Sequence, residues 1–210
     1  MFIVIEGCDG SGKGEQIRRL KSWLEREHVD FVFARDPGAT PLGEKIRSVL
    51  LNSSDLDICP TAETALFMAS RAQLVHDVLA PALNKGLVVI TDRYLLSTVI
   101  YQGYAVGASD DGIEEMWRIG TCFANHVVPD VTFVLECPFE VAEERLGRRS
   151  VKDRMESKDE IYRRKVAEGY LAASELWSSS AHGRIVGIDG TRSPENIARE
   201  IEAIVKSMFT

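Results

Sequence analysis

Hydrophobic positions along this chain follow two rhythms. Five short runs, FIVIE (2–6), FVFA (31–34), LVVIT (87–91), VTFVLE (131–136) and RIVGI (184–188), are apolar almost without interruption and rich in β-branched residues. Such continuity predicts strands buried on both faces of a parallel sheet. Between the runs the apolar spacing lengthens to three and four. Ile17, Leu20 and Leu24 share one helical face, as do Leu66, Ala69, Leu74, Val78 and Leu83 in a long segment over roughly 61–84. A heavily charged helix is predicted near 157–178. A last helix starts at Ser193–Pro194, a capping residue followed by proline in the first turn, and carries Ile197, Ile201 and Ile204. Strands alternating with helices predict an α/β fold around a parallel sheet. With no repeat, low-complexity tract or linker, residues 1–210 read as a single domain, and the polar, arginine-rich stretch at about 145–157 reads as a lid.

Composition narrows the partners. A net charge of −7 argues against broad nucleic-acid or membrane-surface binding, yet allows an anionic small ligand in a locally basic pocket. No apolar run has the length of a membrane span, and the N-terminus lacks a basic flank before its apolar stretch, so the cytoplasm is the expected compartment. Cys8, Cys59, Cys122 and Cys137 are scattered without a C-x-x-C pair, which suggests neither a zinc site nor a disulfide framework.

The first predicted strand feeds a glycine loop, Gly7-Cys8-Asp9-Gly10-Ser11-Gly12-Lys13, that opens a helix. Glycines there let backbone N–H groups converge on phosphate oxygens, the helix N-terminus favours the anion, and Lys13 suits the β- and γ-phosphates of a nucleotide. The strand–loop–helix context supports a phosphate site over an incidental turn. Gly14 departs from the pattern, because a hydroxyl that would ligate Mg²⁺ belongs at that position. The ion would then rely on phosphate oxygens, water and carboxylates elsewhere. Glu15 is expected to face solvent, since a carboxylate pointing inward would repel phosphate. After the third strand, Asp92 is placed to hold Mg²⁺ and Arg93 to take an anionic group, although a D-R pair at a strand end also serves as a structural salt bridge.

Further segments carry a specific resemblance. GCDGSGKG, RDPGATPLGEKIRSVLL, LFMASRAQLV, DRYLLSTVIYQGYAVG, PDVTFVLECP and RRSVKDRMES resemble thymidylate kinases in order and spacing over nearly the whole chain. The resemblance implies a three-layer P-loop kinase fold with a five-stranded parallel sheet, flanking helices and a short lid. It also implies transfer of the γ-phosphoryl of ATP to dTMP with Mg²⁺, in a homodimer. By the same resemblance Phe67 stacks on thymine, Arg71 binds a base carbonyl, and Thr98 and Gln102, with Ser97 beside them, complete the base and sugar contacts. Tyr101 crowds the sugar 2′ position, and Arg47 and Arg93 clamp the acceptor phosphate. Asp9 faces the sugar 3′-OH or the metal, and Asp36 replaces a more usual glutamate. Relatives that lack an arginine in the phosphate loop, where this chain has Ser11, supply it from the lid. Arg149 and Arg154 are the first candidates here, then Arg145 and Arg148. Ala39, Val106 and Glu136 depart from the family pattern.

Such a reaction is an in-line transfer in which an ionised phosphate oxygen attacks, so no general base is needed. Lys13, the lid arginines and Mg²⁺ would neutralise the transferring group, while lid closure excludes water. Two alternatives stand beside it. A deoxynucleoside kinase would attack with a neutral 5′-hydroxyl and require Asp36 as base, and a non-catalytic ATP-binding module would need no base pocket.

Overall fold

The computed structural model describes residues 1–52, 56–147, 154–155, 157–178 and 182–209. Five parallel strands, β1 (Phe2–Glu6), β2 (Phe31–Arg35), β3 (Val88–Asp92), β4 (Val131–Glu136) and β5 (Arg184–Asp189), form one sheet in the order β2-β3-β1-β4-β5. From β1 the chain runs out to β2, returns to β3, then crosses β1 to reach β4 and β5. That reversal opens a crevice at the carboxyl ends of the central strands, where α/β proteins place their ligands.

Alternating residues of the central strands divide the core. Ile3 and Ile5 face α1 (Lys13–Arg26) and α9 (Pro194–Ser207), where Ile17, Leu20, Leu24, Ile197, Ile201 and Val205 complete one apolar layer. Phe2 and Val4 face the opposite layer, built from α3 (Pro60–Leu74), α4 (Ala80–Asn84), α5 (Leu95–Thr98), α6 (Asp110–Phe123) and α8 (Glu160–Leu176). The remaining helices are α2 (Pro41–Asn52) and α7 (Phe139–Leu146). Ser193 caps α9 as the sequence predicts, its side chain accepting from the Asn196 N–H.

Three details differ from the sequence reading. The strands are not uniformly buried: β1, β3 and β4 are, but β2 and β5 carry exposed positions because they form the two edges of the sheet. The long segment near 61–84 is α3 followed by a π-helical turn (Val75–Leu79) and then α4. That wider turn takes up extra backbone and rotates the buried stripe. Met68, Leu74, Val75, Leu79 and Ala82 are buried, whereas Leu66, Ala69, Val78 and Leu83 are only half-buried. Finally, Arg145 belongs to the last turn of α7 rather than to a loop, and Arg148 and Arg149 lie outside the described residues.

Candidate active site

The loop between β1 and α1 folds so tightly that its glycines are obligatory. At Gly10, with φ +85°, a Cβ would lie 2.3 Å from the Ala142 carbonyl oxygen. Lys13 Nζ turns back onto the carbonyls of Gly7 (2.9 Å) and Cys8 (3.0 Å), which curls the loop around its own centre. Burial, then the positive charge of Arg93, lowers the Lys13 pKa, and the carboxylates of Asp9 and Asp92 oppose this. Two cations brought together in a buried place suit an anion. Buried Ser11 packs inside the loop, and burial pushes the Cys8 thiol up to about 11 and keeps it neutral. Glu15 accepts from Arg18 (2.7 Å) and Arg19 (2.6 Å) along α1, and although a solvent-facing side chain was expected it is half-buried and lines the mouth of the same cleft, its charge answered by the two arginines.

The loop opens into a cleft of about 520 Å³. Every residue expected to meet the acceptor nucleotide lines it: Asp9, Asp36, Arg47, Phe67, Arg71, Arg93, Ser97, Thr98, Tyr101 and Gln102. Asp9, Asp36 and Arg93 come from the loops after β1, β2 and β3, and four further elements bring in the rest. Arg47 comes from α2, and its Nη1 donates to the Pro37 carbonyl at 2.9 Å. Phe67 and Arg71 lie one turn apart on α3, and Ser97 and Thr98 end α5. Tyr101 and Gln102 follow on a second π-helical turn, Val99–Gly103.

Arg71 is 1 % exposed and holds Asp36 Oδ2 through Nε at 2.6 Å. Its Nη2 donates to Thr98 Oγ1 (2.8 Å) and the Tyr94 carbonyl (3.2 Å), whereas among the described residues Nη1 meets only the Met68 thioether at 3.4 Å. Of the five guanidinium N–H groups, those on Nη1 are therefore the ones left for a ligand. Asp36 is committed to this pair.

At the end of the cleft beside the glycine loop, Arg93 sits in the left-handed region (φ 71°) immediately after β3. Its Nη1 donates to the Gly7 carbonyl (2.9 Å), Tyr170 Oη (2.8 Å) and Ser97 Oγ (3.2 Å). Nη2 donates to Asp9 Oδ1 (2.5 Å) and Tyr101 Oη (3.2 Å). Behind it lies Glu6, fully buried, whose carboxylate accepts from Tyr94 N–H (2.8 Å), Ser97 N–H (3.1 Å), Ser97 Oγ (2.7 Å) and Tyr170 Oη (2.8 Å). Burial raises the Glu6 pKa against the pull of Arg93. Asp9 goes the other way. Burial would raise it, but Arg93 and Lys13 prevail and hold it at about 2.

The sequence reading missed Glu6, Tyr170 and Glu63. Glu6 had a signal, a carboxylate closing an otherwise apolar strand. Glu63 had a weaker one, being four residues before Phe67. Tyr170 had none, since only tertiary packing brings α8 across the sheet. Arg154 does not line the cleft. Its Nε donates to the Leu50 carbonyl (2.7 Å) and its Nη2 to Glu63. Arg145 does line the cleft, and its Nη1 donates to the Gly190 carbonyl at 3.0 Å.

The donors available for Mg²⁺ are few. Among the described residues no group of three or more His, Cys, Asp or Glu side chains converges as a metal cage. Asp92 lines the cleft with a buried Oδ1 that has no protein partner among the described residues. One carboxylate beside bound phosphates fits the way magnesium is held, with several waters retained.

Comparison with known proteins gives the same picture over the chain's length. The family model described as thymidylate kinase matches residues 5–201. A thymidylate kinase of Thermosipho africanus is 39 % identical over 206 residues, covering 98 % of both chains. One from Kosmotoga olearia is 39 % identical over 96 % of this chain and 93 % of its own, and one from Mesoplasma florum 37 % over 98 % and 94 %. The chain belongs to the thymidylate kinase family. The fold agrees with that membership, a five-stranded parallel sheet between two helical layers with the phosphate loop after β1.

Proposed function

We propose that this protein phosphorylates dTMP to dTDP with ATP, serving dTTP synthesis, and that the cleft described above is where it does so. The observation that carries the reading is the arrangement of one cleft, with Lys13 and Arg93 at its phosphate end and Phe67, Arg71, Thr98 and Gln102 lining the same cavity. A nucleoside monophosphate needs that pairing of charge and flat apolar surface, and ATP binding alone does not. The deoxynucleoside kinase and the non-catalytic module are not favoured, and Asp36 is bound to Arg71 instead of standing free as a base.

In this reading Arg93 and Arg47 hold the acceptor phosphate, an ionised oxygen of which attacks in line. Lys13 and the backbone N–H groups of Gly10 to Gly14 receive the donor phosphates. Phe67 offers its ring to the base and Arg71 Nη1 meets a base carbonyl. Tyr101, buried beside Asp9 and Arg93, crowds the sugar. Asp92 is the side chain that would hold Mg²⁺, with Asp9 as the secondary candidate. When bound, the ion would neutralise charge between the phosphates. Arg149 and Arg154 are the first lid arginines of this reading, with Arg145 and Arg148 behind them, in a lid at about 145–157 of a single domain, and Arg154 must leave Glu63 to reach the phosphates.

The functional unit we propose is a homodimer in the cytoplasm. Ile119 and Phe123, one turn apart and exposed on α6, supply apolar surface for a second copy. ATP- and Mg²⁺-dependent ADP release, measured with dTMP, with thymidine and with no acceptor, tests the activity. Turnover with dTMP alone is expected. Turnover with thymidine instead, or with neither, overturns the reading.

A further inference from the structure

Glu63 lies in the first turn of α3, four residues before Phe67, and is 4 % exposed. It does not line the cleft. Its carboxylate collects three donors from two distant parts of the chain. Gln102 Nε2 donates to Oε1 at 3.0 Å, Lys158 Nζ to Oε1 at 3.2 Å, and Arg154 Nη2 to Oε2. Burial would raise the Glu63 pKa, but these donors outweigh it and keep the group ionised. An ionised carboxylate only accepts hydrogen bonds. Gln102 can therefore satisfy it only with the amide nitrogen. The flipped amide would set two acceptor oxygens about 3 Å apart in a buried place, with no proton between them.

We infer that Glu63 is a specificity-determining positioning residue, which locks the Gln102 amide so that its carbonyl oxygen faces the base. The inference rests on the base site of the proposed function. Thymine and uracil carry a donor at N3 and a carbonyl at C4. Cytosine carries an acceptor at N3 and an amine at C4. A locked acceptor at Gln102 matches the first pair and opposes the second, and Arg71 Nη1, whose protein partner is the weakly accepting Met68 thioether, matches the C4 carbonyl in the same sense. Gln102 without Glu63 could rotate its amide and accommodate either ring. The reading of the base thus depends on a residue that never touches it.

The test is kcat/KM for dTMP and for dCMP in the wild type, in Glu63→Gln and in the swap Glu63→Gln with Gln102→Glu. Thermal unfolding of each confirms that it is folded. Loosening of the Arg154 and Lys158 contacts would affect both nucleotides alike, so the ratio isolates the amide. In Glu63→Gln the dTMP preference is expected to fall about tenfold or more, the scale set by one buried donor–acceptor mismatch. In the swap the pair is reversed. The amide introduced at position 63 donates to the carboxylate introduced at position 102, whose second oxygen still accepts from N3–H. The preference then returns to within about threefold of wild type. An unchanged ratio in Glu63→Gln, or a swap no better than the single variant, overturns the role of Glu63. Should Glu63→Gln fail to fold, Glu63→Asp is read in its place: the shorter carboxylate no longer reaches Gln102 Nε2, so a dTMP preference lowered in the same direction supports the role and an unchanged ratio overturns it. A wild type indifferent to dTMP and dCMP overturns the base-site reading itself, and is thereby distinguished from a failure of Glu63 alone.

Discussion

Replacing Asp36 with asparagine would leave the Arg71 guanidinium buried without its counter-charge. Arg71 is 1 % exposed and Asp36 2 %, and their contact is 2.6 Å. Removing one partner of such a buried pair costs about 3–5 kcal/mol. Asparagine keeps an oxygen that can still accept from Nε, so the lower end applies, about 3 kcal/mol. With a urea slope of about 3 kcal/mol/M for a chain of this size, the unfolding midpoint should drop by about 1 M. Circular dichroism and the fluorescence of Trp23, Trp117 and Trp177 follow the transition. The double variant Asp36→Leu with Arg71→Met removes both charges together and should recover most of the lost stability, since apolar replacement of a whole buried pair is often neutral or better. It should not recover dTMP turnover, because the Nη1 donors are gone. A midpoint unchanged in Asp36→Asn, or a double variant no more stable than the single, would refute the claim that the pair is an interdependent buried unit.

Three further outcomes are expected. Tyr170→Phe keeps the ring but removes a hydroxyl that meets Arg93, Ser97 and Glu6 at 2.8 Å each. Stability should fall by about 1–3 kcal/mol and kcat/KM for dTMP by roughly tenfold, read from melting curves and steady-state kinetics. At Gly14 a Cβ would meet nothing within 4 Å, so Gly14→Ser should fold with a gain of about 0.5 kcal/mol from helix propensity. If its hydroxyl reaches the ion, half-maximal Mg²⁺ should also fall, and an unchanged Mg²⁺ titration would refute that part. The Asp9 carboxyl, held at about 2 in the folded chain, lies below its unfolded value of roughly 3.9. Its stabilisation is therefore complete above about pH 4 and is lost as the pH falls towards 2. Urea midpoints between pH 5 and 2.5 should drop more steeply in the wild type than in Asp9→Asn, and equal slopes would contradict the assignment.

Much of this protein was legible along the chain because its signals are local. The period of the apolar residues, the glycine loop after FIVIE and the Ser193–Pro194 cap each operate within a few residues. The parallel sheet, the phosphate loop and the last helix follow from them directly. The residues expected at an acceptor site came from motif blocks that carry type and spacing together, and all of them line one cleft. The π-helical turn at Val75–Leu79 was not legible, because an apolar period does not record an extra residue in the backbone. Neither were the buried groups packed behind the cleft. Glu6 and Tyr170 are 164 positions apart, and Glu63 and Lys158 are 95, yet each pair shares a hydrogen bond. A buried carboxylate is tolerable only where donors from other elements converge on it. Sequence shows the charge, and only the tertiary structure shows what answers it.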